Sequence, residues 1–185
     1  ATYEYHQVSE TCLEGFIHAK TVCSRGEYKL YFSMHTDKPF QLIEKESELP
    51  CLDFGNETKE VEVRIALSAL GENEARQEYA QWNNKSFAQL KKASYKEWEE
   101  KLASINVKGG TEDDKFIFYT SLYRACLSPV DVTSTDGRYL GTDGKIYQAD
   151  GFRYYSNWSL WDTFRTKFPL LVLLEPAKMR DMATS

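Results

Sequence analysis

The stretch Val61-Glu62-Val63-Arg64-Ile65-Ala66-Leu67-Ser68-Ala69-Leu70-Gly71-Glu72-Asn73-Glu74-Ala75 changes its period in the middle. Up to Ala69, the residues Val61, Val63, Ile65, Leu67 and Ala69 take one face, while Glu62, Arg64 and Ser68 take the other. That two-residue alternation predicts a half-buried strand. After Gly71 the alternation stops, and Glu72 to Asn83 reads as a short helix. Strands therefore come first and helices after.

Upstream, Glu27-Tyr28-Lys29-Leu30-Tyr31-Phe32-Ser33-Met34-His35 also alternates, and Gly55-Asn56 and Gly71 punctuate the text as turns. Residues 1–70 thus predict an antiparallel sheet or sandwich. Downstream of Asn84-Lys85-Ser86, Tyr95, Trp98, Leu102 and Ile105 recur at helical spacing. The opposite face, with Lys91, Lys92, Lys96, Glu97, Glu99, Glu100 and Lys101, is a solvated charge run rather than a binding patch. Gly109-Gly110 closes this segment, and Asp113 to Leu127 predicts a third helix with Phe116, Tyr119, Tyr123 and Cys126 on one stripe, stopped by Pro129.

Asp-Gly then occurs three times, at 136–137, 143–144 and 150–151, between short apolar runs, which predicts a small β excursion. It is not an EF-hand, because Thr133 and Thr135 follow Asp131 at ligand positions and no Glu closes the loop. Ser156 or Asn157 is expected to cap a helix carrying Leu160 to Arg165, with a kink or break at Pro169, and Pro176 suits the first position of the next helix. Phe168 to Leu174 is apolar on every side but far short of the ~20 residues that span a bilayer, so it predicts a core helix buried all round. With only Ala177 to Ser185 after it, the chain is expected to stop inside a domain, and its first residues, Ala1-Thr2-Tyr3, read as a processed or truncated terminus.

The 185 residues hold 23 Lys+Arg against 28 Asp+Glu, a formal charge of −5. With no basic block, the phosphate-neutralising field needed for nucleic acid is missing. Cys12, Cys23, Cys51 and Cys126 are too far apart for a zinc ribbon or a thioredoxin-like pair. A Cys12–Cys23 bridge across a hairpin and buried free thiols both remain open, with free thiols the simpler reading. His6, His18 and His35 are spread over the strand region and read as ordinary strand residues, so no metal site is assigned. Asn-x-Ser/Thr triplets stand at Asn56, Asn84 and Asn157.

Half of the 26 aromatic residues fall between Phe116 and Phe168. Such a cluster suits a dense core or a sugar-facing surface, where an aromatic face packs on the C–H side of a pyranose and neighbouring Asp and Arg take its hydroxyls. Phe116, Phe164 and Phe168 are most simply core. The best constellation is Trp161-Asp162 with Arg165, acid and base three residues apart on one helical face beside an indole. A local ion pair explains the same spacing. No Gly-x-Ser-x-Gly, His-Glu-x-x-His or Gly-rich phosphate loop competes.

Phe118-Tyr-Thr-Ser-Leu-Tyr-Arg124, Ser128-Pro129, Asp136-Gly-Arg-Tyr139, Gly141-Thr-Asp-Gly144, Ser159-Leu-Trp-Asp-Thr-Phe-Arg165 and Pro169-Leu-Leu171, together with Glu97-Trp98 and Asp181-Met182, resemble family 92 of the glycoside hydrolases over roughly residues 60–185. The resemblance implies an inverting, calcium-dependent exo-α-mannosidase acting on mannose-containing glycans in the periplasm or outside the cell. It implies an α+β architecture, an N-terminal β-sandwich followed by an (α/α)6 barrel. Residues 1–71 would end the sandwich, 72–110 would be linking helices, and 111–185 would open the barrel. Trp161, Asp162 and Arg165 would be the substrate-binding residues, Trp161 and Asp162 forming part of the pocket for terminal mannose and Arg165 either joining them or only bracing the helix. The catalytic acid and base and most calcium ligands would lie beyond Ser185, so no catalytic residue is assigned here, although Asp143 and Glu175 are available carboxylates, and the chain alone is expected to be inactive. The alternatives are a stand-alone carbohydrate-binding module using Trp161, Tyr154 and Tyr155 as a platform, or a structural domain pair whose aromatics are all core, which exposure of Trp158 and Trp161 would contradict.

Overall fold

The computed structural model describes residues 1–21, 26–44, 50–156 and 160–185. They form a mixed β/α chain with several small sheets and helices, divided into two compact units. Unit 1 is Ala1–Asn84 with Leu140–Ile146, and unit 2 is Lys85–Tyr139 with Tyr147–Ser185.

In unit 1, β1 (Thr2–Ser9), β2 (Cys12–Lys20), β3 (Glu27–Thr36) and, later in the chain, β6 (Val63–Ser68) make an antiparallel sheet in the order β1-β2-β3-β6. The short strands β4 (Gln41–Ile43) and β5 (Cys51–Asp53) pair separately. Register sets the two faces. Cys12, Glu14 and Phe16 stand opposite His35, Ser33 and Tyr31, and these stand opposite Arg64, Ala66 and Ser68. Helix α1 (Glu72–Trp82) covers that face with fully buried Ala75. Gly15 lies where β1 comes closest, since an added Cβ would fall 2.1 Å from the Glu4 carbonyl oxygen.

The covered face is the one that carries the polar residues of β6. The alternation read from Val61 to Ala69 is present, but Val63, Ile65 and Leu67 are exposed, because the helix that follows packs against the Arg64 side. A small side chain at Ala66, with Ser68 beside it, lets a helix approach closely. The bulkier row on the other face has no such cover among the described residues of unit 1.

In unit 2, α2 (Phe87–Leu102) starts at a capping box: the Ser86 hydroxyl accepts from the Gln89 N–H at 3.2 Å, and the Ser86 N–H donates to Gln89 Oε1 at 2.8 Å. Thr111 and Asp114 repeat this for α3 (Glu112–Cys126), whose first turn holds Glu112, Asp113 and Asp114 where the helix dipole favours acids. The pair β7 (Val130–Asp131) and β10 (Tyr155–Ser156) is antiparallel, and β8 (Arg138–Leu140) pairs with β9 (Ile146–Gln148). Gly137, Gly144 and Gly151, the second residue of each Asp-Gly, all have positive φ, as turns of this kind require. The short helix α4 (Leu160–Thr163) leads to α5 (Lys167–Leu174) and α6 (Pro176–Thr184), which begins at Pro176. Pro169 falls in the first turn of α5, where its missing N–H costs nothing. The core of this unit is Tyr155, Phe168, Leu171 and Met182 with Met179. No described helix is long and apolar enough to cross a membrane.

Several expectations need correction. Phe116, expected in the core, is 73% exposed, because α3 turns Leu122 and Cys126 inward instead. Phe164 is also exposed. Tyr95 and the rest of α2 bury nothing completely, and Ile105 lies beyond the end of that helix. Helix α5 buries Phe168 and Leu171 but leaves Leu173 80% exposed, so it is covered on one side only within the described residues. Cys12 is a buried free thiol, while Cys23 lies outside the described residues, as do Asn157 and Trp158.

Candidate functional site

The helix expected over Leu160 to Arg165 ends at Thr163, where the chain passes through a turn before α5. Asp162 is within the helix and Arg165 outside it, so they do not share a helical face. Arg165 instead holds its guanidinium 5.3 Å from the centre of the Phe164 ring. Trp161 is 87% exposed, an extreme value for the side chain with the most apolar surface to bury. Asp162 beside it is exposed too.

The segment leaves β10, which is anchored from both sides. Tyr155 is buried, and its N–H donates to the Ser185 hydroxyl at 2.8 Å. Around it, Arg153 pairs with Asp131, and the Tyr154 N–H donates to the Thr133 hydroxyl at 2.7 Å. The Tyr154 ring stacks on Tyr139 at 4.0 Å between centroids, and Tyr147 stacks on Tyr139 at 5.8 Å. These tyrosines pack mainly on one another. Of the aromatics expected to face a sugar, Trp161 is the one left with nearly its whole surface open, with Trp158 outside the described residues.

Three carboxylates of unit 2 have cationic partners: Asp136 has Arg138, Asp131 has Arg153, and Glu175 has Lys101 at 2.9 Å. Asp143, in unit 1, lies 3.5 Å from Lys145. Hydrogen bonds from the Ser134 hydroxyl and from Arg138 hold Asp136 below the usual carboxylate range, the opposite of what a proton donor needs.

Unit 1 holds a second constellation that the sequence did not signal. Glu14 is 0% exposed and ionised by its partners: Arg76 donates through Nε to Oε1 at 3.0 Å and through a second nitrogen to Oε2, and the Ser33 hydroxyl donates to Oε1 at 2.9 Å. The Arg76 hydrogen bond is the main reason that the Glu14 carboxyl lies below its ordinary range. His35 Nε2 is 2.9 Å from Ser33 Oγ, and its ring lies flat on Tyr79 at 3.5 Å. Because the single Ser33 hydroxyl proton goes to the carboxylate, His35 Nε2 must carry its own proton and donate. A nucleophilic triad needs the reverse direction, serine to histidine, and an accessible serine. Ser33 is fully buried, so this is no triad.

Cys12, Glu14 and His35 bring S, O and N atoms within 4.8 Å of one another, as do His6, Glu14 and Glu72 for N and O. Glu14, shared by both clusters, already accepts from Arg76 through both oxygens and from Ser33, and His35 Nε2 faces the Ser33 hydroxyl. The constellation is a hydrogen-bond network. Sequence reading missed it because His35, Ser33 and Glu14 meet only through strand register, and Arg76 arrives from a helix 62 residues away from Glu14 in the chain.

Residues 72–185, more than half the chain and including Trp161, Asp162 and Arg165, match the glycosyl hydrolase family 92 catalytic domain. The chain belongs to glycosyl hydrolase family 92. Among solved structures of the family, a Bacteroides thetaiotaomicron α-mannosidase, BT3965, is similar with a TM-score of 0.88 and 25% identity, over 98% of this chain and 27% of that one. The same enzyme in complex with mannoimidazole is similar at the same TM-score. The family 92 hydrolase ccman5 is similar at 0.85 and 27% identity, over 99% of this chain and 27% of its own. A comparison with curated proteins gave no match. The chain thus spans about a quarter of the length of these family 92 structures.

Proposed function

We propose that the chain is part of an inverting, calcium-dependent exo-α-mannosidase and that Trp161 and Asp162 form part of its pocket for a terminal mannose, with Arg165 bracing the segment. The observation that carries this reading is a nearly bare indole beside an exposed carboxylate, within the region that matches family 92. The indole face supplies a platform for the C–H side of the sugar, and the carboxylate accepts from two adjacent hydroxyls. The substrate would be a mannose-containing glycan, met in the periplasm or outside the cell.

An inverting glycosidase needs an acid and a base carboxylate ~6.5–9.5 Å apart. Asp131, Asp136 and Glu175 are committed to cations, as described above, and the pair is assigned to the part of the parent protein outside these residues. Calcium takes about six to eight oxygen ligands. Among the described residues the candidate ligand clusters are Cys12, Glu14 and His35, and His6, Glu14 and Glu72; each has at most two carboxylates together with imidazole or sulfur, so they do not fit calcium. By the same reading, the β1-β2-β3-β6 sheet belongs to a β-sandwich and the helices from α3 onward to an (α/α)6 barrel, completed by the rest of the parent.

A stand-alone sugar-binding module would use Trp161, Tyr154 and Tyr155 as a platform. Buried Tyr155 and the Tyr154 ring stacked on Tyr139 do not favour it. Calorimetric titration of the chain with methyl α-mannoside is expected to detect binding that Asp162→Ala and Trp161→Ala each weaken by about tenfold or more. With calcium present, an aryl α-mannoside is expected to show no turnover. Robust turnover, or binding indifferent to both substitutions, overturns the proposal.

A further inference from the structure

The sugar reading leaves one feature of unit 1 without a role. Glu14 holds a negative charge out of water on β2, and its partners come from other elements: Ser33 and His35 from β3, Arg76 and Tyr79 from α1. Burying a carboxylate costs several kcal/mol before its partners repay it, and an apolar contact of similar volume holds a helix at least as well. Ala75 already supplies such a contact. What a charged, hydrogen-bonded chain adds to an apolar one is a response to protons.

We propose that Glu14, Ser33 and His35 form an acid-released latch, which holds α1 on the sheet at neutral pH and loosens it when His35 and then Glu14 take up protons. In the closed state the bonds run in one direction, from His35 Nε2–H to Ser33, from the Ser33 hydroxyl to Glu14, and from Arg76 back to the same carboxylate. Tyr79 closes over the imidazole. Two anchors of α1, Arg76 and Tyr79, therefore rest on groups that titrate or touch a group that does.

The groups around His35 decide what a proton does there. From β2 come the Cys12 thiol, 3.8 Å from Nε2, and Glu14. From β6, Arg64 stands opposite His35 in register, with its guanidinium donating to Glu62 and to the carbonyls of Trp82 and Asn83. From α1 come Arg76, Tyr79 and Glu72, and from β1 comes His6, 3.9 Å from Glu72. A charged imidazole is thus a second cation beside a buried carboxylate that Arg76 has already engaged: Glu14 attracts it and Arg76 repels it. Burial acts in the same direction as Arg76 and is the main reason that His35 lies below the ordinary histidine range. Once Glu14 is also protonated, Arg76 loses its bidentate acceptor.

The test is hydrogen exchange of the whole chain at about pH 7.5 and about pH 5, corrected for intrinsic rates, with α3 amides as the internal reference. The expected result is that α1 protection falls by about tenfold more than that of α3. His35→Phe keeps the ring stack and removes the titration, so its α1 and α3 should fall in parallel. Parallel loss in the unaltered chain, or an unchanged α1 response in His35→Phe, overturns the latch. Should His35→Phe fail to fold, an NMR titration of the unaltered chain decides. The latch requires α1 amide shifts that move with the midpoint of the His35 ring, and a ring that titrates without them refutes it.

Discussion

Gly15 and Arg76 carry consequences out of proportion to their size. At Gly15 an added methyl meets the Glu4 carbonyl oxygen at 2.1 Å and the Tyr5 Cα at 2.7 Å, both backbone atoms that no rotamer change can clear. Gly15→Ala is therefore expected to cost about 2 kcal/mol or more, because β1 must move away from β2; the urea midpoint measures it. The Glu14–Arg76 pair is asymmetric: Glu14 is buried and the Arg76 side chain is half exposed. Arg76→Ala strands a buried charge and should cost about 3 kcal/mol or more, whereas Glu14→Gln leaves a guanidinium that can turn to water and should cost less. Equal losses in chemical denaturation would mean that the pair is not buried as described. Neither residue stood out in the sequence, since a Glu on a strand and an Arg on a helix face are ordinary surface entities until register and packing bring them together.

The helices show what can be read locally. The starts of α2 and α3 follow from Ser86 with Gln89 and from Thr111 with Asp114, motifs complete within four residues. Thr111→Ala is expected to remove about 1 kcal/mol, seen as fraying of the first turn of α3 in hydrogen exchange. Neither pair entered the expectations for these helices, and the third was expected from Asp113, one residue late. The segment from Leu160 was expected to continue as one helix to Arg165, but α4 stops at Thr163 and a new helix begins at Lys167 with Pro169 in its first turn. The kink or break expected at Pro169 is not there: α5 runs through Pro169, and the chain leaves the helix upstream, between Thr163 and Lys167, so that Phe168 and Leu171 reach the core with Tyr155 and Met182.

Across the whole molecule, acid should be the destabilising direction. His35 lies below its ordinary value of 6.5 when folded, so the unfolded chain binds its proton first, and stability present above pH 6.5 is lost as the pH falls towards the folded value. Glu14 lies below its ordinary 4.5 and adds a second loss below that pH. The thermal midpoint is expected to drop on going from neutral pH to pH 4.5, and His35→Phe should flatten the upper part of that drop. Burial makes a separate prediction. Leu171 is 1% exposed, so Leu171→Ala should cost about 2–5 kcal/mol, whereas Ile65→Thr on the open face of the sheet should stay within about 0.5 kcal/mol. The order of strands and helices, the turns at Asp-Gly, the capping boxes and the family 92 motif series were all determined by the sequence, because each depends on neighbours a few residues apart or on a run of matched motifs. Which face of β6 is covered, which aromatics are core, that Trp161 stands bare, and that Glu14, Ser33, His35 and Arg76 form one network were decided only by the tertiary structure. Periodicity says that a strand has two faces; only packing, which brings distant segments together and removes water from one side, chooses between them.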